Sequence, residues 1–205
     1  MSEPEVPHFY PDRAAGTTGP GPAPADGPSG PIVLTGADLT IADVEAVARH
    51  GADAALDLHA RERMQEARDV IESLVAEGAV VYGVTTGFGD LASTSIAPAE
   101  AGRLQANLLM SHAAGVGSPL PREVVRAMLV LRANTLALGH SGCRPLIVDR
   151  LLELLRRGIH PVVPEQGSVG ASGDLAPLAH LALPLIGLGQ VEVGGAVVPS
   201  VGALG

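Results

Sequence analysis

A mainly helical fold with a few short, local strands is what the sequence predicts, on three observations. Apolar residues recur at steps of three and four through much of the chain after residue 40. A proline opens each of three later apolar runs, at Pro98, Pro121 and Pro145, where its missing N–H costs a helix nothing. No alternation of strands with helices suggests a parallel sheet.

Residues 1–31 hold eight of the 17 prolines and five of the 26 glycines in the 205-residue chain. With GPGPAPADGPSGP at their centre, they bury too little apolar surface to offset the entropy of ordering, which predicts a disordered extension followed by one folded region, 32–205. IVLTGADLT then reads as a short extended piece. Thr40 with Asp43 three residues on predicts a capped helix through Arg49. A second helix is expected over 53–77, where Ala54, Leu58, Val70, Ile71, Leu74 and Val75 alternate with charged residues, and Gly78 ends it. Residues 79–82 read as a brief β-like run, followed by a loop to 96 dense in Gly, Ser and Thr. Helices follow from Pro98, Pro121 and Pro145. The stretch GIHPVVPEQGSVGASGD is expected to be a loop, 175–188 a buried helix, and 191–198 a hairpin around Gly194 and Gly195.

Composition removes several functions. All 13 basic residues are arginines, so the chain offers no lysine for a Schiff base to pyridoxal phosphate and no P-loop lysine. A net charge of -9 leaves no basic face to track a phosphate backbone, and nucleic acid is not expected as a partner. The longest apolar stretch, 175–188, carries His180, Pro177 and Pro184 and falls short of the ~20 residues that cross a bilayer, so no membrane association is expected. The single Cys143, in HSGCRP, fits buried packing better than a nucleophile and cannot form an intrachain disulfide. Glu3 and Glu5 stand where a signal peptide needs basic residues, and together these point to the cytoplasm. The histidines lack ligand spacing, so no metal is expected.

Three segments carry candidate chemistry. Gly87–Phe–Gly89–Asp–Leu–Ala92 fits a loose dinucleotide fingerprint, but Ser93, Thr94 and Ser95 continue as loop where a helix should receive the phosphates. Tyr82 at the edge of this glycine-rich loop is placed to carry a phenol over a substrate. The second segment, Gly170-Ala171-Ser172-Gly173, resembles a nucleophile elbow but has Asp174 in place of the last glycine. Ser172 or Asp174 reads as a helix N-cap. The same residues allow a second reading: the unhindered Gly173 nitrogen closes a ring onto the Ala171 carbonyl, and Ser172 loses water to leave an exocyclic methylidene. The third segment, Ser111-His112-Ala-Ala-Gly115-Val-Gly117, ends a helix with a histidine beside residues small enough to leave room for a ligand.

YGVTTGFGDLAS (82–93), LLMSHAAGVG (108–117), SGCRP (141–145) and GSVGASGDLAPLAHLAL (167–183), in this order and spacing, resemble the aromatic amino acid ammonia-lyases, most closely their histidine-specific members. The resemblance runs from about Leu34 onward and implies the N-terminal part of the L-aspartase/fumarase-like helical fold. It implies that Ala171, Ser172 and Gly173 cyclise to 4-methylideneimidazole-5-one (MIO), with Tyr82 as base or proton relay. It further implies His112 as the partner of a substrate imidazole, with Gly89 and Leu175 lining the substrate. The activity implied is elimination of ammonia from L-histidine to give trans-urocanate, in a homotetramer that uses neither pyridoxal phosphate nor metal. Members of that family are more than twice as long, and their remaining active-site residues fall beyond residue 205, so the chain is expected to be the N-terminal portion of such a lyase. A tyrosine or phenylalanine lyase or aminomutase, or a non-catalytic chain that assembles with an intact lyase, are the alternatives.

Overall fold

The computed structural model describes residues 30–86, 98–171 and 175–202. The capping box expected at Thr40 forms: the Asp43 backbone N–H donates to Thr40 Oγ1, and the Asp43 carboxylate accepts from the Thr40 backbone. It starts α1 (Ile41–His50), which Gly51 ends in the left-handed conformation. Ile32–Leu34 (β1) and Ala54–Leu56 (β2) flank α1 and pair in parallel. The expected helix start at 53 is therefore displaced. Asp57 caps the helix by accepting the Ala60 N–H at 2.9 Å, so α2 runs Leu58–Ala76, and residues 54–56 are spent on the sheet. After α2, residues 79–81 form no strand, and 82–85 form a turn.

Helix α3 (Pro98–His112) is followed by the short strand β3 (Val116–Pro119) and by α4 (Arg122–Ala137), for which Pro121 is the N-cap residue. Pro145 occupies the first turn of α5 (Pro145–Arg157), as its position in the sequence predicts. The stretch after α5 is more ordered than expected. It contains β4 (Ile159–Pro161), and β5 (Pro164–Gln166), which pairs antiparallel with β3. The expected helix over 175–188 is α6 (Leu175–Ala182) and then a 3-10 turn, Leu183–Ile186, with Pro184 in it. The hairpin forms as β6 (Gln190–Val193) and β7 (Ala196–Pro199), and β6 also pairs with β4.

Helix α4 packs against α1 and against α5 around Val47, Leu129, Val130, Val148, Leu151 and Leu154. Buried Arg126 of α4 ties the three together by donating from Nε and Nη2 to the Val47 carbonyl (3.0 and 2.8 Å) and from Nη1 to the Leu155 carbonyl (3.1 Å). Both acceptors lie toward the C-terminal ends of their helices, where carbonyls lack intrahelical donors and a cation is favoured.

Beside it, His160 on β4 is 5 % exposed. Burial pushes its pKa down to about 4, against the opposing attraction of Glu192. The neutral ring accepts from Arg126 Nη1 at 3.5 Å, and its 3.6 Å approach to Glu192 is not an ion pair.

The unfolded chain protonates this histidine below about pH 6.5 while the folded chain resists until about pH 4, so acid favours unfolding across that window. His160→Gln is expected to lose less stability than the parent between those pH values, the difference reaching about 3 kcal/mol. Urea unfolding at pH 7, 5.5 and 4 measures it, and parallel losses in the two proteins would contradict it.

Candidate active site

Helix α3 delivers His112 at its last residue. His112 Nδ1 lies 2.8 Å from the Leu108 carbonyl, which can only accept, so Nδ1 carries a proton, and in the uncharged tautomer with that proton Nε2 is the acceptor. Ser111 Oγ donates to the same carbonyl at 2.8 Å. The chain then turns, with the Ala113 N–H donating to Leu109 O and the Ala114 N–H to His112 O, and enters β3.

β3 and β5 pair Val116 with Gln166, which sets the segment after His112 beside the segment before Ala171. The two approach backbone to backbone. A Cβ on Gly167 would lie 2.8 Å from Ala176 Cβ and 3.4 Å from Gly115 Cα. A Cβ on Gly115 would lie 3.0 Å from His180 Nε2 and 3.2 Å from Pro164 Cβ. The Gly115 N–H donates to His180 Nε2 at 3.0 Å, and burial pulls the His180 pKa down, keeping that nitrogen an acceptor.

The loop that carries the triplet is pinned at both ends. The Ala176 N–H donates to the Ser168 carbonyl at 2.8 Å, drawing the first turn of α6 back onto the loop that precedes it. Gly170 has φ +62°, which favours glycine, and a Cβ there would press on Leu175 Cδ1 at 2.6 Å. Ala171 is exposed in the turn. Ser172, Gly173 and the alternative cap Asp174 lie outside the described residues, as do Gly89 and the 87–92 fingerprint. Leu175 opens α6 and is 39 % exposed.

Tyr82 stands on a separate turn organised by two threonines. The Val81 N–H donates to Thr85 Oγ1 (2.8 Å), Thr85 Oγ1 donates to Ala79 O (2.6 Å), and the Gly83 N–H donates to Thr86 Oγ1 (3.3 Å). Tyr82 is 63 % exposed on this turn, and its approach to Ser172 lies outside the described residues. The structure thus joins the segments bearing His112, Ala171 and Leu175. His180 joins them without having been assigned a part in the sequence. Its one signal there is that it is the single ionisable side chain in the otherwise apolar LAPLAHLA.

The sequence profile of the aromatic amino acid lyases matches residues 39–205. The chain belongs to the aromatic amino acid lyase family. Within that family it is 52 % identical over 159 residues to a histidine ammonia-lyase of Streptococcus gordonii, covering 78 % of this chain and 31 % of that protein. It is 54 % identical over 173 residues to one of Gloeobacter violaceus, covering 84 % and 34 %. Among solved structures, histidine ammonia-lyase from Trypanosoma cruzi superposes with TM-score 0.77 at 39 % identity over 84 % of this chain and 33 % of that one. Tyrosine aminomutase from Streptomyces globisporus superposes with TM-score 0.79 at 38 % identity, over 85 % and 32 %. This aromatic amino acid lyase chain therefore spans about a third of the length of the relatives it matches. Its mainly helical fold with short strands is that of the lyase and aminomutase structures.

The close approach at Gly167 makes a sharp prediction. Gly167→Ala forces its new methyl onto Ala176, with an expected loss of about 1–3 kcal/mol. Gly102→Ala, in exposed α3 with open space around it, is expected to gain about 0.5–1 kcal/mol. Urea midpoints of the two variants against the parent check both signs.

Proposed function

We propose that the protein is a histidine ammonia-lyase, eliminating ammonia from L-histidine to leave trans-urocanate. The observation that supports this reading is the junction of the segment after His112 with the segment before Ala171, in a chain about half identical to histidine ammonia-lyases over the matched residues. The chemistry needs two aids, because the β-proton of an amino acid is weakly acidic and its α-amine leaves poorly.

The surroundings of the triplet fit a chain-derived MIO ring at Ala171, Ser172 and Gly173. The loop ends are held together through Ser168 and Ala176, and Gly170 takes its left-handed turn against Leu175. When formed, MIO supplies an electrophilic methylidene that turns the amine into a better leaving group. The rest falls to this chain's own side chains. His112 Nε2 accepts from an imidazole N–H and so orients the substrate, Tyr82 Oη takes the β-proton, and Gly89 and Leu175 bound the site. A cytoplasmic homotetramer is the setting this reading carries. A tyrosine aminomutase is the second reading, supported by the superposition on that enzyme; it predicts a β-amino acid product from tyrosine.

Ultraviolet absorbance of urocanate, followed in the intact protein with L-histidine, tests the proposal. Turnover in the parent and a loss of at least about a thousandfold in Ser172→Ala are expected. Turnover of tyrosine without any of histidine would overturn the substrate assignment.

A further inference from the structure

We propose that His180 is a positioning residue for substrate binding: its Nε2 holds the Gly115 N–H and thereby fixes His112 relative to the Ala-Ser-Gly loop. This rests on the histidine ammonia-lyase reading, and it adds a residue to the site that motif spacing does not single out.

A series of short, directional ties links His112 to α6. From His112 the backbone runs three residues to Gly115. Ala114 is closed onto His112 by its N–H at 2.8 Å, and Gly115 is closed onto His180 at 3.0 Å. No slack remains between the histidine ring and the latch. His180 sits on α6, eight residues after Ser172, and α6 begins at the loop that carries the triplet. The same helix anchors to the core through buried Leu181 and to the loop through Ala176 N–H and Ser168 O. One helix therefore carries both the triplet's loop and the acceptor that holds the His112 segment. The tautomer is determined as well: an acceptor Nε2 on a neutral ring leaves the proton on Nδ1. Gly115 belongs to the same device, because a Cβ there would stand 3.0 Å from that Nε2 and push the acceptor away.

A packing role and a positioning role make different predictions. Glutamine places a carbonyl oxygen near the position of Nε2 and can accept the Gly115 N–H, whereas leucine fills the space and accepts nothing. In the intact protein, His180→Leu is expected to raise KM for L-histidine about tenfold while kcat stays within about threefold. His180→Gln is expected to restore KM to within about threefold of the parent. Equal KM values in the leucine variant and the parent, or equal losses in both variants, would overturn the proposal.

The unmodified protein provides a test that needs no variant to fold. Nitrogen NMR at pH 7.5 is expected to find His180 neutral with Nδ1 protonated, and hydrogen exchange is expected to find the Gly115 amide protected. The opposite tautomer, or an amide exchanging as in an open loop, would overturn the latch. Neither signal depends on turnover, so a protein that proves inactive on histidine refutes the enzyme reading while the latch is judged separately.

Discussion

The structure depends most on two loops that must meet with no side chain between them. Gly115 and Gly167 bring the segment after His112 and the segment before Ala171 into backbone contact, and Ala176 and His180 close over the junction from α6. Where a Cβ has 2.8 or 3.0 Å to its neighbour, the neighbour must move, and here the neighbours are the helix that follows the triplet and the ring that holds Gly115. Displacing either would separate the segment that follows His112 from the segment that precedes Ala171.

The helical frame exists to make that meeting reproducible. Arg126 fastens α1 and α5 to α4 through the Val47 and Leu155 carbonyls near their C-terminal ends. From α5 the chain enters β4, which lies against β6, and the Leu120 N–H donates to Val163 O at 2.8 Å just before β5 begins. β5 then aligns with β3, and α6 returns Leu181 to the core. The triplet's loop is thus held at one end by a strand pair and at the other by a helix rooted in the hydrophobic interior.

Much of this was legible in the sequence wherever a local rule applied. Thr40 with Asp43, the proline opening α5, and the Gly194-Gly195 turn act within a few residues, and each element formed where its signal stood. The failures are tertiary. Residues 54–56 look helical by spacing, but they pair with 32–34, more than twenty residues away, and strands of three or four residues such as β3, β4 and β5 carry no period to read. The site divides in the same way. His112 and the Ala-Ser-Gly triplet were visible as motifs, while the part played by His180 was not, because its partner Gly115 is 65 residues distant and contributes only a backbone N–H.

On the proposed function, this chain makes its own electrophile from Ala171, Ser172 and Gly173. The mass of the proteolytic peptide spanning those residues, released from folded native protein, tests it most directly. Ring closure and dehydration predict a peptide lighter than its sequence mass by two waters, with Ser172→Ala lacking the dehydration. A native peptide at its full sequence mass would show that the ring does not form.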